Sequence, residues 1–244
     1  MNLTKFSLLR RRADLAPAAF AAHWRSTHVR VLTELGGHAE YNRRYVQNRV
    51  LREEGVESAA FDGVAQMLPR SEEVLQRGLQ EDPRYLRHVR PDESLFLDVE
   101  RCVVLYCRTE VLQPHDAAAP WKWLALLMRD EARPPEAFAL AWREACETLR
   151  SVAGAPEGPW STLRGLSVHE VLPGAARGMA AGERGGAALA YGAVLEMRFA
   201  SVQALRDALA APDAGSPRGV VDRWAGVARC HGLAVHEDLI YDLG

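Results

Sequence analysis

Apolar positions in the first part of the chain follow two spacings, that of strands and that of helices. Residues 5–11 form a short apolar run with basic flanks, which is typical of a strand. Pro17 suits the first turn of a helix, and apolar side chains then recur at helical spacing through about Thr33. Gly36 and Gly37 follow and predict the end of this helix.

The pattern predicts three more strands, at about 44–52, 61–68 and 101–112. Ser71 is followed by two glutamates and predicts the start of a second helix, because acidic side chains are favourable at the N-terminal end of the helix dipole. Residues 82–98 contain two prolines and predict one short helix and a loop. The resulting order, strand–helix–strand–strand–helix–strand, is that of the ferredoxin-like βαββαβ unit.

The second half of the chain carries the same pattern. Phe20 and Trp24 align with Phe138 and Trp142 without a gap, and later blocks recur in the same order with longer offsets where the loops differ in length. Such an internal repeat indicates a duplicated structural unit. In one unit both helices cover a single face of the sheet, so the other face needs a partner.

We therefore predict an α+β fold of two tandem ferredoxin-like modules, residues 1–112 and 121–244, joined by the linker 113–120. The two sheets are expected to pack against each other as an intramolecular pseudo-dimeric barrel. Residues 173–190 are rich in glycine and alanine and lack an apolar period, so a surface loop is favoured over a functional lid. The sequence leaves open whether two chains pair further into a homodimer.

Composition narrows the classes of function. The 244 residues include 30 basic and 32 acidic side chains, and the net charge of −2 argues against nucleic-acid binding. No apolar stretch approaches the roughly 20 residues of a membrane span, so the protein is expected to be cytoplasmic, with no membrane partner. The four cysteines form no CxxC pair, which predicts reduced thiols and no metal site.

His28 is the leading candidate for chemistry. It lies one helical turn after Trp24 and two turns after Phe20, so the three side chains share the helix face that points to the sheet. A buried histidine can be a hydrogen-bonded core residue, or it can exchange protons with a ligand in a pocket between helix and sheet. The repeat keeps the two aromatic residues but has Cys146 in place of the histidine. A single active half would leave this asymmetry, and so would drift.

Other polar residues are weaker candidates. Asp62 either orients His28 across the pocket or forms the turn before a strand. Gln47 and Asn48 are adjacent in a strand, so they point to opposite faces of the sheet and only one of them can contact a pocket. Tyr45 can donate a hydrogen bond to a substrate oxygen or belong to the core.

The remaining histidines offer less. His23 lies five residues before His28 and faces another side of the helix, so it is expected to be exposed to solvent. His231 and His236 lack a carboxylate at ligand spacing, which argues against a metal site there.

Three sequence blocks, taken together, resemble the EthD family of dimeric α+β barrel proteins. The family's pattern is a basic-ended strand followed by a Phe-x-x-x-Trp-x-x-x-His helix, then a Tyr-x-Gln strand, then a strand opened by Asp-Gly. The matching residues are Phe20, Trp24 and His28, then Tyr45 and Gln47, then Asp62 and Gly63. The resemblance covers residues 3–112 well and residues 121–244 weakly.

What the resemblance implies is a ferredoxin-like barrel with a pocket between sheet and helices, in which His28 is the acid/base group. Family members are associated with the breakdown or tailoring of small hydrophobic or aromatic compounds. Related barrels include cofactor-independent cyclases, isomerases, dehydratases, decarboxylases and monooxygenases, so no cofactor is expected. The second half has Gly192 and Ala193 in place of the Asp-Gly pair, so a site carried over from the family belongs to the first half.

Two functions remain open from the sequence. The first is an enzyme that acts on a small hydrophobic or aromatic metabolite by cofactor-independent acid/base chemistry, with His28 and Asp62 as catalytic residues. The second is a non-catalytic protein that binds a small molecule or serves as a scaffold. The candidates for substrate binding are Trp24, Tyr45, Gln47 and Asn48. The sequence does not identify the substrate or the type of reaction.

Overall fold

The computed structural model describes residues 2–52, 60–72, 74, 81–154, 157, 160–180, 190–210, 217–222 and 228–244. The strands of this part are β1 (Asn2–Leu9), β2 (Asn42–Val50), β3 (Gly63–Pro69), β4 (Val103–Gln113), β5 (Trp121–Arg129), β6 (Leu163–Gly178), β7 (Tyr191–Phe199) and β8 (Ala228–Asp242). They form a closed antiparallel barrel in the order β1-β3-β2-β8-β5-β7-β6-β4. The fold is thus a mixed α+β barrel, and the predicted strands lie within a few residues of the observed ones.

Helices cover the outside of this barrel. They are α1 (Pro17–His23), α2 (His38–Tyr41), α3 (Arg90–Phe96), α4 (Pro135–Val152), α5 (Val202–Ala210) and α6 (Pro217–Asp222). Helix α1 continues through two π-helical segments, Trp24–His28 and Val31–Leu35, and Gly37 follows with the positive φ of 64° that glycine tolerates. The predicted helix that begins at Ser71 lies largely outside the described residues.

Segment 82–98 is more helical than predicted. A π-helical segment, Tyr85–Val89, runs directly into α3, and Pro91 stands in the first turn of α3. Tyr85, Val89 and Phe96 are buried. The two prolines therefore mark helix starts and not a loop.

The predicted surface loop at 173–190 is wrong for its first part. Strand β6 extends through Gly178, and its last residues pair with β4, with Arg177 opposite Val104. Gly174 has a φ of 70° within the irregular stretch of this pairing. Ala176 and Met179 are buried. Residues 181–189 lie outside the described residues, so the prediction for them stays a prediction.

The barrel interior has an apolar part and a polar part. Alternate side chains of β1, such as Phe6 and Leu8, point into the barrel. They belong to an apolar cluster to which each of the remaining seven strands also contributes at least one side chain. The polar part centres on Lys122 of β5, which is fully buried. Its ammonium bonds Glu237 and Gln66 and lies 3.3 Å from Glu196. This network joins β3 to β5, β7 and β8.

Among the described residues, no helix combines the length and the apolar character that a membrane crossing requires.

Candidate functional site

His28 is held in one orientation by a carboxylate from a different helix. It ends the π-helical segment that continues α1, and its side chain is buried. Its Nδ1 atom lies 2.7 Å from Oδ2 of Asp92 in α3, so the ring N–H donates to the carboxylate. Within the described residues, the Nε2 atom has no hydrogen-bond partner. Since the histidine also lines a cavity, this nitrogen is available to a ligand.

Asp92 binds a second histidine through its other oxygen. Nε2 of His23 lies 2.9 Å from Oδ1 of Asp92, and the His23 ring stacks on Phe96 with 4.7 Å between ring centroids. The expectation that His23 is exposed was wrong, because the π-helical turn and the nearby α3 give it a buried carboxylate partner. Burial alone would raise the pKa of Asp92, but the hydrogen bonds from His28 and His23 outweigh it, so the pKa is lowered.

A small cavity lies between β1, β2 and β3 on one side and the helices of the first half on the other. Its volume is about 40 Å³, enough for about two or three water molecules. The side chains that line it are Lys5, Ser7, Leu9, Trp24, His28, Leu32, His38, Tyr45, Ala65, Met67, Tyr85, Glu93, Leu97 and Met179. The walls are mostly apolar, with a few polar groups that converge, as is usual for small-molecule sites.

Glu93 is a second carboxyl group in this cavity. It is buried, and its two oxygens each lie 2.8 Å from the hydroxyl of Tyr85, which donates to them. Burial raises the pKa of Glu93, although the nearby charges of His28 and Lys5 and the Tyr85 hydrogen bond oppose this. A carboxyl group in such a setting can hold or accept a proton nearer to neutral pH than an exposed glutamate can.

His38 closes another side of the cavity. It is buried, its Nδ1 bonds the hydroxyl of Tyr241, and its Nε2 lies 3.1 Å from the amide nitrogen of Asn42. Burial, together with the charges of Lys5 and His28, puts the pKa of His38 well below its usual value. This imidazole is therefore neutral at physiological pH and acts as a polar wall.

The substrate-binding candidates separate into two groups. Trp24 and Tyr45 line the cavity beside His28, and burial raises the pKa of Tyr45 to about 12, so its hydroxyl stays protonated. Gln47 and Asn48 point to opposite faces of β2, as predicted. Gln47 bonds the Trp24 carbonyl and the Tyr45 hydroxyl from outside the cavity, whereas Asn48 lies inside the barrel on Val64 and Gln66. The geometry thus removes both amides from the cavity wall.

Asp62 does not orient His28. One of its oxygens accepts from the backbone N–H of Arg11 at 3.0 Å, and the other accepts from the side chain of Arg11 at 3.1 Å and from Arg52. This is the turn before β3, the alternative that the sequence left open. The next residue, Gly63, leaves room for Trp24, because an added Cβ would lie 2.5 Å from the indole ring. The orienting carboxylate is Asp92 instead.

The second half has no equivalent of this arrangement in the described residues. Cys146 stands at the position that corresponds to His28 and is buried, and burial raises the pKa of its thiol to about 11. It lines a groove with Trp142 on the far side of the molecule. A protonated thiol is a poor acid/base group at neutral pH. No group of three or more potential metal-ligating side chains occurs in the described residues.

The fold and the cavity define the class of the chain, an α+β barrel protein with a small cavity between sheet and helices. Residues 12–100 match the family model of the EthD domain. The matched residues contain most of the cavity wall, including His28 and Glu93, and also Asp92, which orients His28.

Solved structures share the barrel over nearly the whole chain. An anthrone oxidase-like protein is 14% identical, with a TM-score of 0.64, and the alignment covers 100% of this chain and 95% of that one. A putative monooxygenase from Lactobacillus acidophilus NCFM is 10% identical, with a TM-score of 0.51, and the alignment covers 100% and 97% of the two chains. At these identities the likeness shows the fold alone. No curated protein matches the sequence closely enough to be compared.

Proposed function

We propose that the protein is an enzyme that transfers protons to and from a small hydrophobic or aromatic metabolite, with His28 as the acid/base group and without a cofactor. The observation that carries the proposal is the placement of His28. One ring nitrogen is fixed by a buried carboxylate, and the other is unbonded on the wall of a largely apolar cavity. A base held by an orienting partner is the usual arrangement for general acid–base catalysis.

Asp92 has a defined part in this chemistry. When Nε2 of His28 takes a proton from a substrate, the ring becomes an imidazolium. The carboxylate of Asp92 lies 2.7 Å from Nδ1. Before the transfer it keeps the proton of the neutral ring on Nδ1, and after the transfer it stabilises the charge of the imidazolium. Because the pKa of Asp92 is lowered, the carboxylate is charged at neutral pH and can do this.

The likeness in fold supports a small molecule as the substrate. The two similar structures are named for oxidase and monooxygenase activity. Proton removal from an acidic C–H or O–H group is a step that oxygenation, isomerisation, cyclisation and elimination can share. The placement of His28 supports that shared step, and the proposal leaves the overall reaction type open.

We further propose that the barrel consists of two ferredoxin-like modules, residues 1–112 and 121–244. In the barrel order, the first-half strands run β4-β1-β3-β2 and the second-half strands run β8-β5-β7-β6, which is the same order by position. Pairings of β2 with β8 and of β4 with β6 close the barrel. The first module then carries the chemistry, and the second is mainly structural.

Proton exchange on simple enolisable ketones tests the catalytic proposal. Phenylacetone and phenylpyruvate are dissolved in D2O with the protein, and loss of the benzylic proton signal is followed by NMR. The wild-type protein is expected to accelerate exchange on at least one of them, and His28→Gln to reduce this acceleration by roughly 10²–10⁴-fold. His88→Gln, a histidine outside the cavity wall, is the matched control and should exchange like the wild type.

A non-catalytic binding protein gives a different result. Both ketones would then raise the thermal stability through binding without any faster exchange. Equal exchange by the wild type and His28→Gln would contradict the role given to His28.

A further inference from the structure

Two cations near the cavity have no carboxylate partner. Lys5 lines the cavity, and its ammonium lies 5.9 Å from the ring centroid of Tyr106. The Arg177 guanidinium lies 5.0 Å from the same centroid and donates to the Tyr106 hydroxyl, while its buried Nε has no hydrogen-bond partner. Within the described residues, neither forms an ion pair. The buried Lys122 and Arg198, in contrast, each form ion pairs with Glu196 and Glu237.

The sheet places both cations on the helix-covered face. Lys5 pairs with Tyr106 across β1 and β4, and Arg177 pairs with Val104 across β6 and β4. Directly opposed side chains point to the same face of a sheet, and so do residues two apart in one strand. Lys5, Tyr106 and Arg177 therefore form one row, and Met179, two residues after Arg177, is part of the cavity wall.

Among the described residues, the cavity wall has no strong negative charge that would compensate for the two cations. Glu93 is the carboxyl group in its wall, and burial disfavours the charged form of that group. His38 is neutral. Asp92 is hydrogen-bonded to the two histidines and is not part of the cavity wall. A positive field in a largely apolar cavity attracts an anion.

We propose that the cavity, which holds only two or three water molecules as it stands, widens by side-chain movement to bind an organic anion, an aromatic or alicyclic compound whose carboxylate or ionised enol oxygen lies on the ammonium of Lys5. Arg177, from the second half of the chain, strengthens this anion site from the rim. The extension of β6 is thus a part of the site, and the first half alone is incomplete. This inference rests on the proposed function and names its substrate class.

Benzoate and its uncharged isostere benzamide are the probes. Binding is measured by titration calorimetry and by quenching of tryptophan fluorescence, since Trp24 is in the cavity wall. Benzoate is expected to bind at least about tenfold more tightly than benzamide. Lys5→Met should weaken benzoate binding roughly ten- to a hundredfold, the size of a hydrogen bond to a charged group, and leave benzamide unchanged. Arg177→Gln should weaken benzoate binding roughly two- to fivefold.

Two further variants complete the experiment. Lys5→Arg keeps the charge and should restore most of the affinity, which separates loss of the cation from loss of packing. Arg143→Gln removes an exposed arginine from α4 and should bind benzoate like the wild type. Circular dichroism and thermal melts confirm that each variant is folded.

Three outcomes overturn the anion site. They are equal binding of benzoate and benzamide, no binding of benzoate at tens of millimolar, and unchanged benzoate affinity in folded Lys5→Met. Asp92→Asn, which changes no side chain of the cavity wall, should still bind benzoate. A variant that loses proton exchange and still binds benzoate therefore tests the catalytic proposal alone. A variant that loses benzoate binding tests the anion site.

Discussion

Asp92 and His28 are 64 residues apart in the sequence, and their side chains meet at 2.7 Å between Oδ2 and Nδ1. The same carboxylate reaches His23 with its second oxygen. One buried aspartate thus fixes two rings on neighbouring turns of α1 and its π-helical continuation. Only one of the two rings, that of His28, is part of the cavity wall.

Replacing Asp92 by asparagine should reduce proton transfer without removing the cavity. The amide is nearly the same size, but it cannot stabilise the imidazolium of His28 by charge. We expect the exchange rate on a ketone that the protein accepts to fall by up to about 10²–10⁴-fold, the range of general acid–base catalysis.

His23→Asn is the matched control for this variant. It removes the other hydrogen bond to Asp92 and leaves the bond to His28 in place. We expect a much smaller loss of exchange than with Asp92→Asn. If both variants lose the same amount, the effect comes from the stability of α3 and not from the orientation of His28.

The buried face of the first helix could be predicted because its signal is local. Phe20, Trp24 and His28 recur every four residues, and the structure buries all three. The strands were predictable for the same reason, since alternation and apolar runs need no knowledge of distant partners. The tandem arrangement itself stays a proposal, supported by the strand order.

The partners of His28 could not be predicted because they depend on a contact across the fold. Asp92 and Glu93 lie in segment 82–98, whose two prolines led to the prediction of one short helix and a loop. A usable signal does exist. Tyr85, Val89 and Phe96 recur at helical spacing, and a helix through them places both carboxylates near the buried face. The sequence did not indicate that Lys5 lines the cavity, because a single lysine in a strand does not show which residues surround its side chain.

Glu93→Gln should stabilise the protein more at alkaline than at acidic pH. Because burial raises the pKa of Glu93 above its ordinary 4.5, the stability contributed by the neutral form is present below pH 4.5 and is lost as the pH rises through the folded pKa. Glutamine keeps an acceptor for Tyr85 and cannot ionise. Urea unfolding at pH 5 and pH 8 measures the difference in the free energy of unfolding.

The exposed Glu34→Gln is the control for this measurement and should differ from the wild type by the same small amount at both pH values. A Glu93→Gln variant that loses stability on going from pH 5 to pH 8 as steeply as the wild type would mean that Glu93 remains charged in the cavity.

Gly63→Ala should destabilise the protein through a single contact. An added Cβ would lie 2.5 Å from Cζ3 of Trp24, whose ring is buried and cannot move aside. We expect a loss of about 1–3 kcal/mol in the free energy of unfolding, as for other overpacked cores. In a double-mutant cycle, Gly63→Ala should cost clearly less in a Trp24→Phe background. If the two changes in the free energy of unfolding are strictly additive, the loss of stability does not come from this contact.

Lys122→Met should cost far more stability than Lys5→Met, although these are the two lysines of the chain. Lys122 is fully buried, and its loss removes the ammonium between Glu196 and Glu237, which keep Arg198 as a shared cationic partner inside the barrel. Breaking a buried ion pair from one side costs about 3–5 kcal/mol. Lys5 forms no ion pair within the described residues, so its replacement should cost less than about 1 kcal/mol. Urea unfolding at neutral pH compares them. Similar costs would mean that the barrel tolerates both glutamates unpaired, with water or the arginines compensating for the missing ammonium.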